Sequence, residues 1–118
     1  MRKLTRLSRR HFGRGLGASL ALTVYSRSLS AQDAPRKIEI RISRFSFVPD
    51  HVEIRAGDTL VWVNDDLAPH TATARGDAWS TDTLVSGAAG QIVFTTPGNF
   101  DYFCAFHPHM AGTVSVLS

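Results

Sequence analysis

The stretch NFDYFCAFHPHMAGTVSV places Cys104, His107, His109 and Met110 within seven positions. Cys104 is the single cysteine of the 118-residue chain, and Met110 is its only methionine besides Met1. A thiolate, imidazoles and a thioether are soft or borderline donors, so together they suit a soft metal and not a hard cation such as calcium or magnesium. A further imidazole, His70, stands after NDDLAP at the head of the Thr-rich run HTATA. Chemistry of this kind requires a scaffold that brings His70 to the Cys104 loop from more than thirty residues away.

The pattern of the chain supplies one. Beyond residue 30 no helical period stands out; short alternating runs recur between turn residues. KIEIRI sets Ile38, Ile40 and Ile42 on one face, and HVEI follows Pro49-Asp50. LVWVN sets Leu60, Trp62 and Asn64 opposite Val61 and Val63; HTATA, QIVFT, FDYFC and GTVSVL complete the series. Residues 75–90 are the least regular and read as a loop-rich crossover with at most one short strand or helical turn. Seven or eight strands at this spacing predict an all-β, Greek-key β-sandwich. In FDYFC, alternation turns Phe100, Tyr102 and Cys104 the same way, so the sulfur ends its strand pointing inward at one end of the sandwich.

Greek-key loops that are distant in sequence gather at one end of the fold, where His70 can meet Cys104 and His107. Two imidazoles and a thiolate, with Met110 as a weak axial sulfur, are the ligand list of a blue-copper electron-transfer site. His109 reads as a solvent-facing residue and His51 as exposed. Trp62 reads as core, Trp79 as packing and not an electron relay, and Asp65-Asp66 as a solvated turn.

Charge is divided along the chain. Arg2, Lys3, Arg6, Arg9, Arg10, Arg14 and Arg27 fall in the first thirty residues, whereas all ten Asp and Glu lie beyond them. The order of a basic MRKLTRLSRR, an apolar GLGASLALTVY and a small-residue SRSLSAQ predicts a signal peptide over 1–30. SRRHFGR resembles the twin-arginine export signal. Residues 31–118 are then an acidic copper-binding domain outside the cytoplasm, in the periplasm, which makes nucleic acid a poor partner. The apolar run is shorter than the roughly 20 residues of a membrane span, so no stable membrane anchor is expected. An exported protein with one cysteine makes no internal disulfide, and metal ligation gives that thiol a purpose.

The chain from residue 36 onward resembles the cupredoxins, in particular the amicyanin and pseudoazurin branch, with plastocyanins as further relatives. VEIRAGDTLVWVN is similar to the family's second and third strands, and GNFDYFC to its Gly-x-aromatic-x-Tyr-x-Cys strand. CAFHPHM matches Cys-x-x-His-Pro-x-Met, the short ligand loop of amicyanins. The resemblance implies one copper held by His70, Cys104, His107 and Met110, with Asn64 tying the two ligand loops together. It also implies a monomeric one-electron carrier whose partner is a c-type cytochrome or a periplasmic oxidoreductase. Thr71 departs from the Asn that many members have after the first His. Its N–H is still expected to approach the sulfur, with the usual side-chain brace missing or altered. His109 stands where amicyanins tend to be apolar.

Other classes fit less well. Enzymes built from such domains need further copper ions and more histidines than His51, His70, His107 and His109 provide, so catalysis is not expected. Copper-delivery proteins and metal-sensing modules present open, exchangeable donors, whereas this set is closed. Zinc would accept Cys and two His but has no use for Met110 at axial spacing.

Overall fold

The computed structural model describes residues 34–118; the signal expected over 1–30 lies outside them. Two four-stranded sheets form a sandwich without helices among the described residues. The first has the order β2-β1-β4-β6, from Ser46–Val48, Lys37–Ser43, Thr59–Asn64 and Ala89–Val93. The second has the order β3-β8-β7-β5, from His51–Arg55, Ala111–Leu117, Gly98–Phe103 and Thr73–Ala74. Both sheets are mixed: β1 runs parallel to β4 and β3 parallel to β8, while the other pairs are antiparallel.

Alternation in the sequence becomes the core. Ile40 and Ile42 of β1, Leu60, Trp62 and Asn64 of β4, and Val114 and Val116 of β8 are all buried. The intervening Glu39, Arg41, Val61 and Val63 face the other way and keep contact with water. A one-residue slip in any of these strands would exchange the two sets, so the buried face fixes register. Tyr102 sits at the centre, its ring 4.7 Å from Phe47 and 5.4 Å from Trp62, with Trp62 stacked on Trp79 at 5.7 Å. Burial pushes the Tyr102 phenol up to about 12, so it stays neutral. The hydroxyl end of the ring lies close to Gly112, its register partner on β8; a Cβ there would fall 2.4 Å from Cζ of Tyr102.

A polar knot closes the turn between β3 and β4. Asp58, buried between β3 and β4, accepts hydrogen bonds from the Arg36 and Arg55 amides and from the Arg36 guanidinium, each at 2.9 Å. Burial alone would raise this carboxyl, but these donors outweigh it and hold it below the usual range.

One local expectation changes. Of the run HTATA only Thr73–Ala74 is strand, and His70 instead makes an isolated bridge with Leu84. The crossover over 75–90 is loop-rich, as expected: Ser80 and Leu84 make single bridges back to Thr73 and His70, and its last two residues enter β6. The short β2, with the two-residue turn Arg44–Phe45 before it, carries no alternating run and was not anticipated.

Candidate metal centre

Cys104 follows the last residue of β7, and β8 begins just after Met110, so the loop between the two strands spans Cys104 to Met110. The His107 amide donates to the Cys104 carbonyl at 3.2 Å and the Met110 amide to the His107 carbonyl at 2.9 Å. These are two successive four-residue turns that share His107, which explains the physical content of Cys-x-x-His-x-x-Met: each turn returns the chain to the same side with the next donor residue. The Cys104 amide donates to the Met110 carbonyl at 3.2 Å and closes the loop at its base. Cys104 and Met110 are both buried in the hydrophobic core cluster, while His107 is half-buried.

His70 arrives from the connection between β4 of the first sheet and β5 of the second. Its amide donates to the Leu84 carbonyl at 3.1 Å and its carbonyl accepts from the Leu84 amide at 2.8 Å. The ring is fully buried, and Nε2 lies 2.9 Å from Oδ2 of Asp66. With Asp66 ionised, Nε2 carries the proton and Nδ1 presents its lone pair. Burial would raise the Asp66 carboxyl, but the amides of Phe45 and Arg44 and the His70 ring hold it below the usual range. Asp66 therefore is not the solvated turn residue expected from the sequence; Asp65, beside it, is, and pairs with Arg41 at 2.8 Å.

The Nδ1 atoms of His70 and His107 each lie 3.6 Å from the Cys104 sulfur. The donor atoms of His70, Cys104 and His107 all fall within 4.8 Å of one another. Metal–sulfur and metal–nitrogen bonds of about 2.3 and 2.0 Å, at angles between tetrahedral and trigonal, separate sulfur from nitrogen by about 3.5–3.7 Å. The spacing fits a metal centre, and the soft sulfur with two imidazoles fits copper. His109 is exposed, its ring 6.4 Å from that of His107, and it stands outside the cluster.

The departure at Thr71 leaves the brace altered, one of the two outcomes expected. The Thr71 amide approaches the Cys104 sulfur at 3.5 Å, as anticipated. The side-chain brace is not missing: the Thr71 hydroxyl accepts the Ala105 amide at 2.9 Å and so links the His70 segment to the Cys104 loop. That hydroxyl continues a chain through Thr73 at 2.9 Å and Ser80 at 2.8 Å, ending on the Thr81 carbonyl at 3.0 Å. Asn64 has another role than the resemblance implied. Its side chain donates to the carbonyls of Ala68 and Leu84 at 2.8 Å and accepts from the Asp66 amide at 2.8 Å. It braces the approach to His70 against the Leu84 segment, and Thr71 joins the two ligand segments.

Sequence reasoning missed Phe45. Its ring is edge-on to both imidazoles, 5.1 Å from His70 and 4.9 Å from His107. A positive-φ aromatic in a two-residue turn leaves no periodic trace, so no sequence signal pointed to it.

Comparison with known proteins agrees with this architecture. Residues 16–116 match the cupredoxin-like domain family. The amicyanin of Paracoccus versutus is 34% identical over 109 residues, covering 86% of this chain and 83% of that protein. Its crystal structure superposes with a TM-score of 0.62 over 75% of this chain and 86% of the other. The chloroplastic plastocyanin of Tetradesmus obliquus is 32% identical over 101 residues, covering 76% and 70% of the two chains. A copper-containing nitrite reductase from Thermus scotoductus superposes with a TM-score of 0.65 at 28% identity; the match covers 70% of this chain but 22% of that one. With the two mixed sheets, the Cys104–Met110 loop and the converging His70, Cys104 and His107 already in place, this match over most of its length means that the chain belongs to the cupredoxin-like family.

Proposed function

We propose that this protein is an exported, monomeric carrier of single electrons that works through one copper ion in the periplasm. The observation that carries the reading is the convergence of two Nδ1 atoms on one buried sulfur, each at 3.6 Å. His70, Cys104 and His107 would hold the metal, and Met110, buried at the end of the same loop, would lend a weak axial sulfur. Copper bound there would supply a Cu(II)/Cu(I) couple for one-electron transfer.

The chain's own residues do the rest. Asp66 fixes the His70 tautomer, the Thr71 amide directs a dipole at the sulfur, and Thr71 and Asn64 lock the surrounding loops. The apolar shell of Phe47, Tyr102 and Val114 keeps water from the inner side of the cluster. His107, half-buried, has Phe106 half-exposed beside it, an arrangement suited to brief docking with a redox protein such as a c-type cytochrome or a periplasmic oxidoreductase. Among the described residues one group of His, Cys and carboxylate side chains is placed to hold a metal, which favours a carrier over an enzyme with several coppers. Export rests on the basic, apolar and small-residue order of residues 1–30 with its paired Arg9-Arg10.

The test is a visible spectrum after Cu(II) addition, with Cys104→Ser as control, followed by mixing with a reduced c-type cytochrome. An intense blue band, absent in the control and bleached as the cytochrome oxidises, is the expected result. A colourless product with copper in excess refutes the reading.

A further inference from the structure

The turn joining β1 to β2 is built from residues that the backbone there disfavours. Arg44 and Phe45 both have positive φ, 53° and 58°, between the paired Ser43 and Ser46. Such a two-residue turn is the natural place for Asn-Gly, because a Cβ in the left-handed region meets the following carbonyl. A bulky aromatic at that position is an outlier, and outliers of this kind persist where surrounding structure over-determines them, commonly at functional sites.

What over-determines this one is Asp66. Its Oδ1 accepts the Arg44 amide at 2.7 Å and its Oδ2 the Phe45 amide at 2.9 Å. The same Oδ2 faces Nε2 of His70 at 2.9 Å. One carboxylate therefore clamps the turn and an imidazole together. The turn in its clamped form delivers the Phe45 ring, at an interplanar angle of 87° to each, against both His70 and His107. Those two imidazoles lie 4.9 Å apart and come from different loops. No other aromatic ring among the described residues pairs with both.

We infer that Phe45 is a positioning residue for the metal centre: its ring, held in an unfavourable turn by Asp66, fixes the orientations of His70 and His107 and covers them on the solvent side. The inference rests on the copper reading above. It explains why glycine, which would relax the backbone, is absent from the turn: glycine has no ring to place. It also assigns Asp66 two linked tasks, setting the tautomer of one imidazole and aiming the ring that steadies both.

The decisive variant is Phe45→Gly, which removes the ring while giving the turn the residue its backbone prefers. Phe45 is 42% exposed, so little core packing leaves with it. Three measurements apply: the unfolding temperature of the metal-free protein, the NMR shifts of the His70 and His107 ring protons in that metal-free state, and the rate of copper release to a chelator. The expected result is an unchanged or raised unfolding temperature, loss of the ring-current displacement on both imidazoles, and copper release faster by about tenfold or more. Phe45→Tyr, which keeps the ring, should restore the wild-type release rate and shifts. Unmoved imidazole shifts and unchanged release in Phe45→Gly would overturn the proposal while leaving the blue-copper reading intact. Faster release that merely follows a lower metal-free unfolding temperature would overturn it as well, since a structural role suffices for that. If wild-type protein forms no blue band, the carrier reading falls, and the metal-free shifts still decide whether Phe45 orders the two rings.

Discussion

Replacing Thr71 by Val separates the stability of the ligand loops from the donor set itself. Valine matches threonine in shape, and the Thr71 amide that points at the Cys104 sulfur is backbone and stays. What disappears is the hydroxyl, which accepts the Ala105 amide at 2.9 Å and is bonded to the Thr73 hydroxyl at 2.9 Å. The order of the chain is fixed from its end: Ser80 donates to the Thr81 carbonyl, so Thr73 donates to Ser80 and Thr71 to Thr73. Thr73 therefore loses only an incoming bond, while the part-buried Ala105 amide loses its acceptor. An amide stranded in this way costs about 1–3 kcal/mol, and the second bond adds about 0.5–1.5 kcal/mol. The new methyl, buried against the core, returns up to about 0.8 kcal/mol. A net loss of about 2 kcal/mol lowers the midpoint of a domain of this size by about 8–16 °C. Thermal unfolding of the metal-free protein, followed by circular dichroism, measures it, with Thr71→Ser as the control that keeps the hydroxyl. The blue band of the copper-loaded variant should stay near its wild-type position, because no donor has changed. Equal midpoints for Thr71→Val and Thr71→Ser would refute the hydroxyl as the link between the two ligand segments.

Gly112→Ala places a methyl 2.4 Å from the Tyr102 ring, which is itself buried among Phe47 and Trp62, so the ring has nowhere to move. The overpacking should cost about 1–3 kcal/mol in denaturant titration; a wild-type midpoint would show that β8 can shift away from the ring. Asp58 sets an acid limit. Its folded carboxyl lies below the ordinary 3.8, so its contribution is complete above that value and is lost as pH falls below it. Asp58→Asn should therefore be less stable than wild type at neutral pH, with the gap closing under acid conditions; a gap that stays constant down to low pH would contradict the assignment.

What the sequence disclosed, and what it concealed, follows from the range of each interaction. β1, β4, β7 and β8 are written in a period of two because one face of each is buried, and the inward direction of Cys104 follows from Tyr102 two residues before it. The donor residues were equally legible, since two tight turns require their spacing and leave it in the sequence. Asp66 was not. Its partners, the Arg44 and Phe45 amides, lie 22 and 21 positions upstream in a turn that has neither Gly nor Asn to announce it. The form of the Thr71 brace was hidden for a related reason. A threonine in a Thr-rich run reads as strand, yet this hydroxyl spends its hydrogen bonds on Ala105 and Thr73 and the ladder shrinks to Thr73–Ala74. Pattern records burial along one element, whereas these braces act between elements.

Those braces also bear on why such a fold suits electron transfer. A carrier loses speed if its ligands must rearrange when charge arrives, so its donors should be held by the protein and not by the metal. Here each is. The His70 ring is tied by Asp66, and its backbone is paired on both sides with Leu84. The Cys104 loop is closed on itself by three backbone bonds and fastened to Thr71 by a fourth contact. His107, the most exposed of the three, shares the backbone bonds of the loop turns, but among the described residues no carboxylate braces its ring, and Phe45 meets that ring edge-on at 4.9 Å. The support of the two rings thus differs with burial: a carboxylate braces the buried imidazole, and an aromatic edge meets the half-buried one. A lid that was itself a polar brace would place a second charged or hydrated group beside the half-buried His107 ring. An apolar ring fixed by a remote carboxylate avoids that, which is a physical reason for the fold to tolerate the strained Arg44–Phe45 turn.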